Sequence, residues 1–370
     1  MAALDLSLDY LPRLPRRNDF RIGCVGAGFI MRGCHLVAYR HAGFHPVAIA
    51  ARRIEQAREV AQLHGIPKVH ATVEDLLADR DIEILDIAVP PDAQPDIIRE
   101  AAKRGHVRGI LAQKPLAMTV ADAKDLVERC RQAGIVLAVN QNMRYDQSVR
   151  AMKCILERGW LGEPVLATIE MRAIPHWMPW SQSLPSLATF VMSIHHLDTF
   201  RYWFGTPDRV LASTRPDPRT KFPHTDGINL YILEYDRGLR ATSWDDVWTG
   251  PAREGSESDI GIRWRIEGTE GLARGTIGWP SYPARTPSTL DFTTKRQPGY
   301  WLQPRWKEVW FPDAFVGTMA QLLCAVEDGV EPAISGRDNI ETIALCEAVF
   351  AGAKEHRVTT VREFIANDVG

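Results

Sequence analysis

Residues 21–35 read RIGCVGAGFIMRGCH, and this stretch decides the fold of the first third of the chain. Arg21–Val25 is a short apolar run that predicts a buried β-strand, and Gly26-Ala27-Gly28 follows it directly. The residues Phe29–His41 then have the pattern of a helix. A strand, a glycine turn and a helix in this order place backbone N–H groups at a helix N-terminus, where they can bind phosphate.

The chain continues to alternate between predicted strands and helices. Apolar runs predict further strands at His45–Ala50, Ile84–Val89, Ile110–Ala112 and Ile135–Val139. Helical spacing predicts helices at Ile54–His64, Pro95–Arg104 and Val120–Ala133. This alternation is typical of a parallel sheet. We therefore expect an α/β Rossmann dinucleotide-binding domain over residues 21–143, preceded by an N-terminal arm at residues 1–20.

The second half of the chain has a different texture. All eleven tryptophans follow residue 159, and long alternating runs replace the short apolar ones. These runs are Val165–Ala173, Gly227–Tyr235, Leu239–Trp248, Ile260–Glu267 and Gly271–Ile277. Helices are predicted at Leu184–Gly205, Phe315–Gly329 and Asp338–His356. We expect residues 144–370 to form an α+β domain with a large open, mainly antiparallel sheet.

Composition excludes several classes of partner. Lys plus Arg number 44 and Asp plus Glu 46, so the net charge of -2 argues against a nucleic-acid or polybasic membrane surface. The longest apolar strings fall short of a membrane span, and the N-terminus lacks the pattern of a signal peptide. The six cysteines form no CxxC or Cys/His cluster, which predicts free thiols, no metal site and a cytoplasmic location.

The glycine turn and the end of the second strand carry the predicted cofactor contacts. Gly26 can make the tight turn and Gly28 can admit a pyrophosphate, with Phe29 and Ile30 beside it at the helix N-terminus. About 20 residues further on, where Asp or Glu would bind a ribose 2′-hydroxyl, the chain has Arg52-Arg53. Two guanidiniums suit a 2′-phosphate, so NADP(H) is favoured over NAD(H). Either arginine can equally be a solvated first-turn residue of the next helix.

With these residues in place, the chain resembles the glucose-fructose oxidoreductase, inositol dehydrogenase and MocA (Gfo/Idh/MocA) family, whose hallmark is Glu-Lys-Pro near the end of the nucleotide half. The matching segments follow the family's order from Arg21 to Val358. They are Gly26–Gly28, Val89-Pro90, Gln113-Lys114-Pro115, Asn142–Tyr145, Leu156–Pro164, Ser193–Asp198 and the tail segments AVEDGVEP, SGRDN and LCEAVF.

The resemblance implies a catalytic role for Lys114 and His195, with Lys114 beside the nicotinamide and the oxidised carbon. Oxidised nicotinamide is a cation, and a neighbouring cation together with partial burial lowers the pKa of a lysine. Lys114 can therefore accept a hydroxyl proton. Gln113 stands where the family has Glu and removes a negative charge beside that lysine. Val191 stands where many members have an acid that orients the histidine. Asp198 shares a helix face with His195 and is implied to hold a substrate hydroxyl.

Other residues are implied to line the site. Arg144 can reach substrate or cofactor, although an interdomain salt bridge fits it equally well, and Pro90 is expected against the cofactor. In the segment RAIPHWMPW, His176 and Trp177 can bind a sugar through hydroxyl and ring contacts. A simpler interpretation has this segment covering the sheet or a subunit contact.

These patterns together predict a NAD(P)-dependent oxidoreductase that transfers a hydride between the nicotinamide and a CHOH group of a sugar, inositol or related polyol. An NAD-dependent glycosidase using transient oxidation, a trans-dihydrodiol or dicarbonyl oxidoreductase, and a non-catalytic cofactor-binding sensor are the alternatives. The family resemblance implies that the domain of residues 144–370 binds substrate and mediates oligomerisation, with a homodimer or homotetramer joined through its sheet.

Overall fold

The computed structural model describes residues 4–173, 179–184, 186–247, 259–279 and 284–366. The chain divides into two compact units. The parallel-sheet unit comprises residues 12–145 and 312–343, and the mixed-sheet unit comprises the described parts of residues 1–11, 146–311 and 344–370. The chain re-enters the parallel-sheet unit at residues 312–343. The predicted boundaries at residues 20 and 143, in contrast, assign each domain one continuous stretch of chain. Those boundaries stay a prediction.

The first sheet is parallel throughout, with strand order β3-β2-β1-β4-β5-β6. Its strands are β1 Arg21–Val25, β2 His45–Ala50, β3 Lys68–Val69, β4 Ile84–Ile87, β5 Gly109–Ala112 and β6 Val136–Val139. The bounds of β1 and β2 are those predicted from the sequence. The two-residue strand β3 carries no recognisable alternation, which is why the pattern does not predict it. The expected α/β arrangement is confirmed.

Strands β4 and β5 are buried along their whole length, as expected for a parallel sheet covered on both faces. The helices that accompany the sheet are α1 Leu36–Ala42, α2 Ile54–His64, α3 Val73–Ala78, α4 Gln94–Arg104, α5 Val120–Gln132 and, from the late segment, α9 Ala314–Asp328. A π-helical turn, Met31–His35, leads into α1. Helix α9 packs on β5 and β6, where the side chains of Leu322 and Val326 approach Gly109.

The second sheet has the strand order β14-β13-β12-β11-β7-β10-β9-β8. Its strands are β7 Pro164–Ala173, β8 Arg209–Arg215, β9 Ile228–Glu234, β10 Arg240–Val247, β11 Gly261–Gly268, β12 Gly271–Ile277, β13 Thr289–Thr294 and β14 Gln297–Leu302. All pairs are antiparallel except β7 with β10. The prediction of a large, mainly antiparallel sheet after the parallel one is therefore confirmed.

One face of this sheet is buried, with Ala167, Ile169 and Met171 of β7 pointing into it. The remaining helices of the chain are α6 Gln147–Glu157, α7 Pro179–Gln182, α8 Ile194–Phe204, α10 Gly336–Glu355 and α11 Val361–Ala366. A second π-helical turn, Thr189–Ser193, leads into α8. Within the described ranges, no helix combines the length and the apolar character needed to cross a membrane.

Candidate active site

The glycine turn after β1 has room for a ligand at one glycine and none at the other. Gly26 has φ +106°, and a β-carbon on it would lie 2.3 Å from the carbonyl oxygen of Ala88, so only glycine fits there. A β-carbon on Gly28 would meet no protein atom within 4 Å. Phe29, the next residue, is 55% exposed. The backbone at Gly28 is therefore open, as the approach of a pyrophosphate requires.

The end of β2 supplies positive charge next to this turn. Arg52 and Arg53 follow the strand, and both are exposed. Arg53 donates from Nε to Oε1 of Gln56 at 3.0 Å. Arg52 has no partner within the described part of the chain. The residues present fit a dinucleotide, because the backbone at Gly28 is open and two exposed arginines, with no Asp or Glu between residues 50 and 54, follow β2.

Lys114 follows β5 at the carboxyl edge of the same sheet and is half-buried. Its backbone is held by Gln94, a fully buried side chain at the start of α4. The amide nitrogen of Gln94 donates to the carbonyls of Gln113, Pro115 and Leu116 at 2.8, 3.0 and 3.1 Å, and its oxygen accepts from the Gln113 N–H at 2.7 Å. The Lys114–Pro115 peptide bond is cis. Gln94 thus fixes the backbone on both sides of the lysine.

The side chain of Gln113 ends a line of buried polar groups. Its Oε1 accepts from the Lys114 N–H at 3.0 Å and from Asn140 Nδ2 at 3.2 Å. Asn140 Nδ2 also lies 2.9 Å from His35 Nε2. His35 Nδ1 lies 2.8 Å from Asp86 Oδ2, so the line ends on a buried carboxylate in the middle of β4.

Sequence reasoning missed most of these supporting residues, although signals for them exist. Asp86 interrupts the apolar run ILDIAV, and a carboxylate at such a position needs a buried partner. His35 and Tyr39 are four residues apart, so one helix face carries both, and Tyr39 donates to the same carboxylate at 2.7 Å. Gln94 carried no local signal, because its role depends on a loop 19 residues away.

Arg144, predicted as a substrate anchor, is 5% exposed, and its guanidinium binds other groups of the protein. Its guanidinium donates to Asp338 at 2.7 Å and to the carbonyl of Ala333 at 2.9 Å, all within the parallel-sheet unit. A salt bridge was the alternative role for this arginine, and one is present inside the unit. Contact with substrate stays a prediction.

In the mixed-sheet unit, His195 lies in the first turn of α8 and is 5% exposed. Its ring meets that of Trp310 edge-on, with centroids 5.6 Å apart. The π-helical turn before it is held by Asp226, a buried carboxylate that accepts from Ser186 and from both the N–H and the hydroxyl of Thr189. Asp226 thereby fixes the chain that leads into His195.

The neighbouring His196 is fully buried, and its Nδ1 lies 2.8 Å from Oδ1 of Asp245 on β10. Ser243 donates to the same oxygen at 3.0 Å. A carboxylate therefore orients His196 from the sheet, whereas the acid missing at Val191 would have served His195.

Asp198 and the aromatic loop complete the predicted site residues. Asp198 is 1% exposed, and its Oδ1 lies 3.9 Å from Nη1 of Arg201 one turn along the helix. His176 and Trp177 lie outside the described residues. Trp180, on the short helix α7, is 38% exposed. The proposed contacts of these residues with substrate stay predictions.

Comparison with known proteins assigns both halves of the chain. Residues 20–141 match the GFO/IDH/MocA oxidoreductase family with an NAD-binding Rossmann fold, and residues 149–274 match the GFO/IDH/MocA C-terminal domain. The chain belongs to the GFO/IDH/MocA family. This confirms the resemblance inferred from the sequence motifs, and it places the glycine turn, Lys114 and Gln94 in the NAD-binding part of a GFO/IDH/MocA oxidoreductase.

Individual relatives in the GFO/IDH/MocA family include enzymes of sugars and of diols. D-apiose dehydrogenase of Paraburkholderia graminis is 26% identical over 351 residues, which cover 94% of this chain and 91% of the relative. Trans-1,2-dihydrobenzene-1,2-diol dehydrogenase of Oryctolagus cuniculus is 32% identical over 234 residues, which cover 62% of this chain and 66% of the relative. The solved structure of levoglucosan dehydrogenase in complex with NADH and L-sorbose has a TM-score of 0.80 at 20% identity, and the match covers 93% of this chain and 99% of that protein. At that identity the likeness shows the fold.

Proposed function

We propose that this protein is a NAD(P)-dependent dehydrogenase that interconverts a CHOH group of a sugar, inositol or related polyol with the corresponding carbonyl, using Lys114 as the acid/base. The observation that carries the proposal is the placement of Lys114, clamped by Gln94 at the same sheet edge as the open turn at Gly28. The sugar dehydrogenase from Paraburkholderia graminis, matched over nearly the whole chain, supports the substrate class.

When bound, the cofactor supplies a hydride acceptor for oxidation or a hydride donor for reduction. The protein's own part in oxidation is to take the hydroxyl proton, and Nζ of Lys114 is the proposed acceptor. In reduction the same atom returns a proton to the carbonyl oxygen. His195 is the proposed second acid/base. Position 191 holds Val instead of an acid that would orient His195, so Lys114 is the principal proton acceptor in this proposal.

The test combines a substrate panel with a variant. Aldoses, polyols and inositols are assayed with NAD and with NADP, and at least one is expected to give reduced cofactor. Lys114→Ala is expected to lower turnover by roughly 10²–10⁴-fold while cofactor still binds, because positioned proton transfer contributes that much. Lys103→Ala, an exposed lysine in the same unit, is the control. Full turnover by Lys114→Ala, or a panel without any substrate, would refute the proposal and leave the sensor alternative.

A second candidate substrate class is favoured by the rabbit relative, which acts on a trans-dihydrodiol and is 32% identical over the matched region. A cyclic vicinal diol offers the same CHOH group to the same lysine. Assaying trans-1,2-dihydrobenzene-1,2-diol beside the sugars separates the two. A kcat/KM for the diol that exceeds every sugar would select the second candidate.

We also propose that the cofactor is NADP(H), bound at its 2′-phosphate by Arg52. The exposed guanidinium of Arg52 follows β2, and no Asp or Glu lies between residues 50 and 54. Arg52→Ala is expected to reduce kcat/KM for NADP by roughly 10–100-fold, the value of a charge-assisted hydrogen bond, with little change for NAD. Arg58→Ala, an exposed arginine on α2, controls for lost charge. Equal losses with both cofactors would contradict the assignment.

The outer face of the mixed sheet supports the proposal of a homodimer or homotetramer. Leu211, Leu230 and Ile232 on β8 and β9 are 37%, 50% and 43% exposed and lie side by side in the sheet register. An apolar patch of this kind is typical of a subunit interface.

A further inference from the structure

Four polar side chains line up behind Gln113 in the parallel-sheet unit. Asp86, His35, Tyr39 and Asn140 are each fully buried. They come from β4, the π-helical turn, α1 and the end of β6, so only the folded sheet brings them together. Buried polar groups are costly unless they find partners, so the hydrogen bonds that these side chains make are constrained in direction, although Oδ1 of Asp86 and Oδ1 of Asn140 have no partner among the described residues.

The carboxylate sets the direction of the line. The Oδ2 of Asp86 accepts from the Tyr39 hydroxyl at 2.7 Å and lies 2.8 Å from Nδ1 of His35. In the tautomer with its proton on Nδ1, His35 donates to this oxygen and its Nε2 is left as an acceptor.

The histidine in turn fixes the amide of Asn140. The group 2.9 Å from His35 Nε2 must be a donor, so Nδ2 of Asn140 faces the ring. The other N–H of that nitrogen points to Gln113 Oε1 at 3.2 Å. Since Oε1 also accepts from the Lys114 N–H, the oxygen of Gln113 faces the protein and Nε2 is the end left over.

The backbone on either side of Gln113 cannot turn to undo this arrangement. Gln94 binds both the N–H and the carbonyl of Gln113, at 2.7 and 2.8 Å. Gln113 Nε2 has no partner among the residues that the structure describes. The side chain is half-buried, which leaves that donor accessible to a ligand.

We propose that Asp86, His35 and Asn140 are positioning residues that hold Gln113 with its amide N–H₂ turned to the ligands, where it donates a hydrogen bond to a ligand oxygen beside Lys114. The proposal rests on the proposed role of Lys114 at this edge of the sheet. The oxygen belongs either to the nicotinamide carboxamide or to the substrate. Asn140 can donate to a side-chain oxygen of either Gln or Glu at position 113. The two residues differ in the atom that faces the ligand, because Gln presents an N–H₂ donor where Glu would present an acceptor oxygen.

The first test does not depend on turnover. In protein labelled with ¹⁵N-histidine, the ring of His35 is expected as the neutral tautomer protonated at Nδ1, and His35→Gln assigns its signals among those of the eleven histidines. Protonation at Nε2 would reverse the donor direction at Asn140 and overturn the proposal.

The second test is a double-mutant cycle. Asn140→Asp removes the N–H that holds Gln113 Oε1 beside the Lys114 N–H, so the amide should be held less firmly and kcat/KM should fall about ten-fold, the typical effect of losing one hydrogen bond. In a Gln113→Ala background the same change should cost little, because no amide remains to be positioned. Equal losses in both backgrounds would show a purely structural effect and refute the relay.

Asn339→Asp is the matched control. Asn339 is 1% exposed and lies in the same unit, outside the Asp86–His35–Asn140 line, so it reports the cost of a new buried carboxylate by itself. Thermal unfolding is recorded for each variant, and if Asn140→Asp does not fold, Asn140→Ala replaces it in the same cycle with the same expectation.

The dissociation constant of NADPH, measured by fluorescence, separates the two sources of the oxygen. An increase in Asn140→Asp and Gln113→Ala identifies the carboxamide, and an unchanged constant with altered substrate kinetics identifies the substrate. If neither the NADPH dissociation constant nor the substrate kinetics changes, the proposal is overturned. Full activity of Lys114→Ala would instead refute the proposed function, while the tautomer and the NADPH constant would still report on the relay.

Discussion

At the scale of single residues, the two glycines of the turn after β1 have opposite reasons to be glycine. Gly26 needs its left-handed backbone and has no space for a side chain. Gly28 has neither constraint from the protein, because its φ is ordinary and its β-carbon position is empty. We therefore propose that a bound ligand, and not the protein, is what a side chain at position 28 would meet.

This difference predicts a clean separation of stability from binding. Gly28→Ala should unfold at the same temperature as the wild type but bind NADPH at least ten-fold more weakly, because the added methyl group meets only the ligand. Gly26→Ala should unfold at a lower temperature, because the new β-carbon collides with the Ala88 carbonyl. Calorimetry and fluorescence titration measure the two effects. Unchanged NADPH binding by Gly28→Ala would argue against a pyrophosphate at this turn.

At the scale of elements, helix α6 is capped by a carboxylate that is fully buried. Asp146 accepts at Oδ1 from the N–H groups of Ser148 and Val149 and from the Ser148 hydroxyl, and at Oδ2 from Ser288. Burial raises the pKa of Asp146 from 3.8 to about 6, with these hydrogen bonds opposing the rise. The folded protein therefore holds a proton at Asp146 over a pH range in which the unfolded chain has lost it.

The sign of the effect on stability follows from that difference. The contribution of Asp146 is most favourable below about pH 4 and is lost as the pH rises through about 6, a change on the order of 3 kcal/mol. Asp146→Asn keeps the acceptor for the helix N–H groups and removes the charge. In urea unfolding from pH 4 to 8, the variant should gain stability over the wild type as the pH rises.

Asp92→Asn, at an exposed position, controls for the loss of one carboxylate. A constant difference between Asp146→Asn and the wild type at all pH values would contradict the raised pKa.

At the scale of the whole molecule, the apolar patch of Leu211, Leu230 and Ile232 on the exposed face of the mixed sheet predicts self-association. Ile232 lies between Leu211 on one neighbouring strand and Thr242 on the other, so an arginine there would place charge in the middle of the face. We expect the wild type to have two or four times the 41.5 kDa chain mass by light scattering, and Ile232→Arg to dissociate to a single chain.

Leu63→Arg is the matched control for this experiment. Leu63 is 52% exposed on α2, outside the sheet face, and its variant should keep the mass of the wild type. A wild-type protein that runs as a single chain would refute the proposed interface.

Local patterns were sufficient for much of the architecture. The strands β1 and β2 and the helix α2 have the bounds predicted from apolar runs and helical spacing, and the turn between β1 and the first helix was placed by its glycines. Lys114 was singled out because Gln113-Lys114-Pro115 resembles the Glu-Lys-Pro motif of the GFO/IDH/MocA family, and its position at the sheet edge follows from β5. These features depend on neighbours in the chain, which is why a linear sequence suffices for them.

The surroundings of that lysine were decided by tertiary structure. Gln94, Asn140, His35 and Asp86 lie on four different elements, and no local pattern links them to Gln113. The same holds for His196, whose partner Asp245 comes from a strand 49 residues away, and for Arg144, which binds Asp338. The sequence by itself determined the two sheets and the glycine turn, because each follows from local spacing, and it pointed to the lysine through the family resemblance. The hydrogen bonds that orient these groups exist only once distant strands and helices are packed together.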